Sequence, residues 1–510
     1  LSPSGPYNTR GARRVADSGY QPLSTDSALA ALLASSSETP VSNGSADITS
    51  PNCPQPAWGP RAWLIVPRLE IDEIITDNVR QSASHRTGDL VSVITPGINI
   101  TGDTQKLKLN LDYAPAIRRN VWAPDENRID QNLSFSGTGI FVPDVFSIDS
   151  RASVSDESIE GARGTTSSTF IPNSQRTQAI VYSVAPHVQE RFGGAAQADF
   201  LYQFTQENYS GNTGASAFGA GLSNSIEHDG HFSIGTGDEL ERLNAQLVTS
   251  GTYSDNSGQL LTFSRLSEVL QTKYALSRVY TLIAEGGYER LVFPQSSSIS
   301  YTGATWNIGG EVHPDPTSYL TLLYGKRDGF LGFNGSARYD ITPITSLFAS
   351  YSDSVETTQS AVAQGLSAEG TLPLNTPVIN PNFPLQNDIF HSKALTAGIE
   401  NSIGLDRYSA LLDYEIRDSL LHLQPNDTLL SGYATWNHEF SDQSDTSLTL
   451  GYSRETVNRV GTANAGMQYD YSFTESLRGS VRYDFILRTS SVHSDGFLQN
   501  AITLSLRQTF

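Results

Sequence analysis

Residues 477–487 read Leu-Arg-Gly-Ser-Val-Arg-Tyr-Asp-Phe-Ile-Leu. The odd-numbered positions carry Leu, Gly, Val, Tyr, Phe and Leu, whereas Arg, Ser, Arg, Asp and Ile occupy the even-numbered ones. Because successive side chains of a β-strand point to opposite faces, this period of two predicts a strand with one apolar and one polar face. Residues 463–473 alternate in the same way.

The same alternation recurs from about residue 62 to the end of the chain, for example at 106–113, 198–205 and 407–416. About 20 such segments of about 10–14 residues follow one another without a helical pattern between them, and a tilted strand needs about ten residues to cross a membrane. We therefore predict an all-β fold, a transmembrane antiparallel up-and-down β-barrel of about 22 strands, with about 18–20 as the alternative.

Composition favours a membrane barrel over a soluble protein. Hydrophobic residues make up 38% of the chain and charged residues 17%, against about 45–50% and about 25% in an average soluble protein. A barrel needs no large apolar core, because its apolar side chains face lipid and its interior is wet. Apolar runs such as residues 63–66 are too short for a membrane-spanning helix. The predicted location is the bacterial outer membrane.

The charge balance limits the possible partners. The net charge of −20 disfavours a nucleic-acid partner, which would require a basic surface. Only five of the 33 basic residues are lysine, so the other 28 are arginine, the residue that holds carboxylates in fixed geometry. The single cysteine, Cys53, allows no internal disulfide.

The chain divides into two regions. Residues 1–61 are rich in Ser, Pro, Ala and Asn and show no sustained period, so we predict a mostly disordered periplasmic tail. A small plug inside the barrel is the alternative for this tail. Residues 62–510 form the predicted barrel.

The predicted connections are short on one side and long on the other, as in outer-membrane barrels. Long loops are expected at about 116–127, 156–176, 207–216, 357–390 and 418–427. We hypothesise that the loop at 357–390 folds inward and narrows the pore, because long loops in compact folds are usually functional or disordered. Aromatic residues at the strand ends predict two interfacial girdles. Tyr113, Tyr253, Tyr288, Tyr324, Tyr351, Tyr414 and Tyr452 would form one girdle, and Phe141, Phe192, Phe440, Phe473 and Phe510 the other.

The last strand carries a possible assembly signal. Ile502, Leu504, Leu506 and the terminal Phe510 share one face, which Gln508 interrupts. This strand resembles the signal by which the barrel assembly machinery recognises its substrates, an amphipathic final strand that ends in an aromatic residue. The resemblance implies that machinery as a partner, beside outer-membrane lipid and lipopolysaccharide.

Residues from about 65 to 510 also resemble the outer-membrane β-barrel porins of exopolysaccharide and exosortase (PEP-CTERM) gene clusters. The resemblance rests on local motifs in the first two strands, Val66-Pro67-Arg68-Leu69 and Ile94-Thr95-Pro96-Gly97-Ile98, and in the middle region, Glu285-Gly286-Gly287-Tyr288-Glu289 and Tyr324-Gly325-Lys326-Arg327-Asp328. It implies a pore for polysaccharide secretion, with a polysaccharide substrate and periplasmic export proteins as partners. It transfers no catalytic or ligand-binding residue.

Inward-facing charges are the candidate functional residues, because charged rings in a pore set its solute preference. The alternative is that these charges only pair with one another across the lumen. The predicted pore-lining residues are Glu285, Glu311, Arg338, Glu400, Arg407, Asp413, Glu415, Arg417, Asp470, Arg478, Arg482, Asp484 and Arg488.

The chain offers little sign of catalysis or metal binding. Glu227-His228-Asp229-Gly230-His231 is the one cluster of histidine and carboxylate residues, and a solvated polar turn is the favoured interpretation over a metal site. We expect no enzyme activity, no metal and no cofactor. The leading functional hypothesis is a conduit for exopolysaccharide secretion, and the alternative is a general or solute-selective porin for uptake. A TonB-type receptor is disfavoured because the tail looks too short for a folded plug.

Overall fold

The computed structural model describes most of the predicted barrel region. The predicted tail (1–61) and nearly all of the predicted pore-narrowing loop (357–390) lie outside the described residues. No helix in the described part of the chain is long and apolar enough to cross a membrane. The described residues are 62–158, 170–211, 224–237, 242–256, 262–294, 296, 299–357, 388–422, 425–457, 459–491 and 496–510.

The described residues form one antiparallel sheet that closes on itself, because the first strand pairs with both the second and the last strand. The sheet has 24 hydrogen-bonded segments. Two barrel strands consist of two segments each, so the barrel has 22 strands, as predicted. The strands are β1 Trp63–Thr76, β2 Asp89–Asp103, β3 Leu107–Tyr113 with Ala116–Asn120, β4 Arg128–Asp130 with Leu133–Val142, β5 Phe146–Ser158, β6 Arg176–Phe192, β7 Ala196–Gly211, β8 Ser225–Thr236, β9 Leu243–Asn256, β10 Phe263–Ala275, β11 Tyr280–Val292, β12 Tyr301–Val312, β13 Tyr319–Arg327, β14 Phe330–Thr342, β15 Thr345–Thr357, β16 Ile389–Ile403, β17 Asp406–Ser419, β18 Asp427–Ser441, β19 Ser444–Glu455, β20 Val460–Ser472, β21 Leu477–Thr489 and β22 Phe497–Thr509.

The break inside β3 has a local cause. Pro115 has no backbone N–H to donate to a neighbouring strand. The Ala114 N–H instead donates a backbone hydrogen bond of 2.9 Å to the carbonyl oxygen of Asn132, which lies at the matching break of β4. Residues 116–120, which we predicted to lie in a loop, are strand, because pairing with β2 resumes immediately after the proline.

Connections at the two ends of the barrel differ in length. Those at one end, the turn end, span two to six residues, for example 343–344 and 313–318. Those at the other end, the loop end, include residues 77–88, 159–175 and 358–388. In outer-membrane barrels the short turns face the periplasm and the longer loops face outward.

The two faces of the sheet differ in exposure. Large apolar side chains such as Leu270, Ile308, Leu322 and Leu504 are exposed on the outer surface, where a membrane barrel contacts lipid. Most of the tyrosines and phenylalanines predicted as girdles are also exposed, but Tyr351 is half-buried. The polar face of each strand turns inward, where its side chains are shielded by neighbouring strands.

The histidine-containing segment departs from the prediction. Residues 227–231 are not a turn but the middle of strand β8. Glu227, Asp229 and His231 therefore face inward, whereas His228 faces outward and accepts or donates a 2.7 Å hydrogen bond with the Tyr202 hydroxyl. The alternation of inward and outward residues continues through 227–231. The high density of charged residues there led us to predict a turn instead of a strand.

Candidate functional site

All thirteen predicted pore-lining residues lie at positions whose alternation places them on the inward, polar face of their strands. On β21, for example, Val481 and Tyr483 are exposed on the outside, whereas Asp484 and Arg488 are buried. On β11, Glu285 alternates with the exposed Leu282 and Tyr288 in the same way. Their position is therefore the expected one, while their role in conduction stays a prediction.

The structure does not bring these thirteen residues together into one ring. Arg478 pairs with Asp470 at 3.1 Å and with Asp445 at 2.8 Å, and Arg482 pairs with Asp484 at 2.7 Å. The remaining contacts are separate small groups around the wall. They are Arg417 with Glu415 at 2.6 Å, Arg407 with Glu439 at 3.4 Å, Arg338 with Asp340 at 3.4 Å, Lys273 with Glu311 at 3.6 Å, Glu285 with Asn307 at 2.8 Å, and Asp413 with Thr396 at 2.7 Å.

At the loop end a hairpin parts from one of its two neighbouring strands. Pairing between β14 and β15 stops at Gly335 and Tyr351, although β15 and β16 remain paired up to Thr357 and Ile389. The upper part of the β15–β16 hairpin, residues 352–357 and 388–395, therefore separates from β14 but stays joined to β17, with which Phe390 to Leu395 still pair. We call this part the cap hairpin.

Contacts to distant strands show where the cap hairpin goes. Arg265 of β10 donates a hydrogen bond of 2.8 Å to the carbonyl oxygen of Val355. Residues Arg265 and Val355 lie on strands that are five strand spacings apart, or about 24 Å along the wall at about 4.8 Å per spacing. The contact is possible because the cap hairpin leans inward over the ends of the four strands between them, β11 to β14.

An ion pair between β10 and the β13–β14 turn anchors the cap hairpin. Arg265 lies 2.9 Å from Asp328, whose other carboxylate oxygen accepts the Val355 N–H at 3.3 Å. Glu289 accepts the Asp328 N–H at 2.9 Å. Asp328 and Gly329 both have positive φ, 53° and 88°, which makes a two-residue type I′ turn between β13 and β14. This tight turn places the Asp328 carboxylate at the mouth, where only 2% of its side chain is exposed.

Ring stacking and apolar packing complete the contact. Phe330 of β14 stacks on His391 of the cap hairpin with ring centroids 4.0 Å apart. His391 in turn forms a 2.6 Å contact with Asp353. Val355 and Ile389 pack with Leu291 and other residues of the wall, so the cap hairpin is held by both polar and apolar contacts. The apolar cluster comprises Phe263, Leu291, Phe293, Val355 and Ile389.

A second buried cluster lies at the loop end on the other side of the barrel, around β1, β2 and β22. Val79 of the first loop packs with Val91 and Phe170. The Gln81 amide donates 3.0 Å hydrogen bonds to the Phe170 carbonyl and to Gln499. The loop end is therefore lined by packed side chains on two opposite sides.

Exposure differs between a charged pair at the turn end and the charges beneath the cap hairpin. The side chains of Arg407 and Glu439 are 48% and 44% exposed, in contrast to the 2% of Asp328. The cap hairpin therefore shields the Asp328 carboxylate from water, whereas the turn-end pair is open to it.

Sequence reasoning missed the residues of the cap. Arg265, Asp328 and Val355 were not predicted as site residues, because their meeting depends on a bend in a distant hairpin. The Asp-Gly pair at 328–329 is the one local signal that was available, since it is a strong hairpin signal.

Comparisons with known proteins identify a fold and no family. No family model matches the sequence, and no curated protein matches it. Among solved structures, the apoprotein form of the FrpB iron transporter (F5-1 variant) from Neisseria meningitidis is similar with a TM-score of 0.53 at 7% identity, over 88% of this chain and 81% of that chain. The siderophore receptor PirA from Acinetobacter baumannii is similar with a TM-score of 0.51 at 9% identity, over 88% of this chain and 80% of that chain.

These likenesses are at the level of architecture. They agree with the closed antiparallel barrel described above. They give no support to the specific association with exopolysaccharide gene clusters that the local motifs imply. The chain is a closed 22-stranded β-barrel of the bacterial outer membrane.

Proposed function

We propose that the protein is a gated, solute-selective channel for uptake across the outer membrane. The observation that carries the proposal is the cap hairpin, which leans over the ends of β11 to β14 and is held there by Arg265, Asp328 and Phe330. A barrel of about 22 strands is wide enough for an aqueous channel unless something fills it. A hairpin that is pinned over part of the mouth by a few side chains is suited to act as a gate, and a general diffusion pore would need no such contact.

The solved structures support uptake over secretion. The two similar proteins cited above are an iron transporter and a siderophore receptor. Export of exopolysaccharide, with periplasmic export proteins, is the alternative that the sequence motifs imply. No contact among the described residues favours it. Those two proteins are a transporter and a receptor rather than enzymes, in keeping with a transport role.

Planar-bilayer recording of a matched pair of variants tests the gate. Phe330→Ala removes the ring that stacks on His391 without changing any charge. Phe333→Ala makes the same truncation on the same strand, but Phe333 faces outward and is 51% exposed. We expect Phe330→Ala to open the channel far more often than the wild type, and Phe333→Ala to behave like the wild type.

The outcomes separate the candidate functions. Large currents in the unmodified protein would contradict a gate at the cap hairpin and favour an open porin. Absence of current in both the wild type and Phe330→Ala, in barrels shown to be folded by their resistance to SDS at low temperature, would overturn the proposal of a channel.

A further inference from the structure

A second hairpin at the loop end parts from one neighbouring strand in the same way as the cap hairpin. Pairing between β4 and β5 stops at Leu133 and Val154, although β5 and β6 remain paired up to Ser158. β6 also stays paired with β7, the strand that follows it. We call the upper part of the β5–β6 hairpin, residues 155–158 and 170–178, the second hairpin.

The directions of two side chains show that the second hairpin has left the wall. Arg176 shares the parity of Tyr182, which is exposed on the outer surface of β6, yet the Arg176 side chain is largely buried. Asp156 of β5 lies opposite Gln178, at the same outward parity, and is also buried. A hairpin that stayed in the wall would turn both side chains towards lipid. The second hairpin therefore leans inward, and its outer face is covered.

Arg176 joins the covered face of the second hairpin to the wall. Its guanidinium donates a hydrogen bond of 2.6 Å to Asp130 of β4 and contacts the Asp156 carboxylate. Asp130 lies on the inward face of β4, because its neighbour Ile129 is exposed on the outside. Arg128 pairs with the same carboxylate at 3.0 Å. In the described residues, side-chain contacts thus take the place of a backbone ladder between the second hairpin and β4.

The segment that leads into β6 contacts distant parts of the loop end. The Phe170 carbonyl oxygen accepts a hydrogen bond of 3.0 Å from Gln81, which lies in the loop after β1. The Asn173 N–H donates one of 2.9 Å to Glu126, between β3 and β4. β6 and β1 are five strand spacings apart, or about 24 Å along the wall at about 4.8 Å per spacing. The second hairpin and the loop after β1 therefore meet over the ends of the strands between them, β2 to β4.

The two hairpins leave the wall on opposite sides of the mouth. The cap hairpin parts from the wall between β14 and β15, and the second hairpin parts from it between β4 and β5. These two places are ten strands apart in a barrel of 22, so they nearly face each other. The cap hairpin leans over β11 to β14 and the second hairpin over β2 to β4. The hairpins therefore cover separate parts of the mouth.

We propose that the gate of the outer mouth has two leaves, and that the second hairpin is the second leaf, held shut by Arg176. This inference rests on the proposed gated channel and adds how its mouth is closed. Side-chain contacts to β4 can break and reform while the β5–β6 ladder stays intact, so the second hairpin can move as a unit. Arg176 is a positioning residue, because it joins the leaf to the wall and touches no solute.

Planar-bilayer recording of the full chain tests the second leaf. We expect Arg176→Ala to open the channel without any change in the cap hairpin. Arg176→Ala combined with Phe330→Ala should show a main conductance step roughly twice that of either variant alone, because openings in parallel add their conductances and distant sites act independently. Arg290→Ala is the matched control, because it removes one arginine from β11 at an exposed, outward position. It should behave like the wild type.

A second variant separates an open leaf from a damaged barrel. Arg176→Ala leaves the buried Asp156 carboxylate without the cation that contacts it, which can destabilise the fold. Arg176→Ala with Asp156→Ala removes both charges, and Asp130 keeps Arg128 as its partner. This double variant should open the channel as Arg176→Ala does, in barrels shown to be folded by their resistance to SDS at low temperature.

The outcomes distinguish the second leaf from the channel itself. Current in Phe330→Ala, but neither current in the two Arg176 variants nor a larger step in the combination, would overturn the second leaf and leave the cap hairpin as the whole gate. An effect of Arg290→Ala as large as that of Arg176→Ala would also overturn it. Absence of current in every folded variant would overturn the proposed channel and the two-leaf gate together.

Discussion

Two opposite parts of the barrel wall carry six inward carboxylates each and differ in what accompanies them. The acidic wall, β7 to β11, has Arg265 and Lys273 as its inward cations, whereas the arginine wall, β20 to β22 with β1 and β2, has five inward arginines. In the arginine wall Asp484 accepts three hydrogen bonds of 2.7–2.9 Å from Arg482. In the acidic wall Asp229 and Glu285 accept hydrogen bonds from a hydroxyl and an amide. One barrel therefore holds its inward carboxylates in two ways, with ion pairs on one side and largely with neutral donors on the other.

The largest effect is expected from breaking an ion pair at the edge of the arginine wall. Arg68 donates two hydrogen bonds to Asp112, one of them 2.6 Å long. Arg68→Ala would leave the Asp112 carboxylate shielded without a cation and should lower the free energy of unfolding by about 3–5 kcal/mol. Urea unfolding of the barrel in lipid vesicles measures this loss.

The double variant Arg68→Met, Asp112→Leu is the control for that experiment. It removes both charges at once, so most of the lost stability should return. If the double variant were as unstable as Arg68→Ala, packing of the arginine side chain rather than its charge would explain the loss.

A pair of isosteric changes should shift stability in opposite directions in the two walls. Asp484→Asn weakens the contact with Arg482 and should destabilise the barrel by about 1 kcal/mol, because a hydrogen bond to a charged group becomes a neutral one. Glu207→Gln removes a buried charge that lacks a cation and should stabilise the barrel by about 1 kcal/mol. Equal shifts of the same sign in urea unfolding would contradict the distinction between the walls.

The smallest effect is expected outside both walls, at the turn between β12 and β13. Hydrogen bonds from Ser318 and Thr317 lower the pKa of Asp315 from 3.8 to about 2. Because the folded pKa lies below the unfolded one, this contribution to stability is present above about pH 4 and is lost as the pH falls towards 2. The wild type and Asp315→Asn should therefore differ slightly at neutral pH and converge in acid, which urea midpoints at several pH values would measure. A difference that stayed constant with pH would show that the carboxylate charge does not matter there.

The alternation of apolar and polar residues predicted most of the fold. It gave the strand number and the inward side of all thirteen candidate charges, because side-chain direction follows from local backbone geometry. The alternation could not predict the position of the cap hairpin. Asp353 and His391 share the parity of the outward residues Tyr351 and Leu395, yet they are buried. Because the cap hairpin bends, Asp353 and His391 are buried at positions that would otherwise face outward. That bend depends on contacts with β10 and β14.

The sequence alone also could not predict that ion pairs concentrate in one part of the barrel wall. Composition shows 53 acidic and 33 basic residues, but their pairing depends on which strands lie side by side. Arg68 and Asp112 lie 44 positions apart, with a whole strand between them. Residues 116–120 and 227–231 were misassigned for simpler reasons, a proline in the first case and a high density of charge in the second.

The seam between β1 and β22 sets the order of events during folding. Residues 68–76 pair with residues 501–509, and Asn500 forms two hydrogen bonds to Asp77, 423 positions away. Bringing the ends of so long a chain together costs about 5 kcal/mol of loop-closure entropy. The ladder between β1 and β22 therefore has little reason to form before the intervening hairpins have assembled and shortened that distance. The barrel should therefore close last and open first at this seam. Until β22 pairs with β1, a partly assembled barrel exposes two unpaired strand edges.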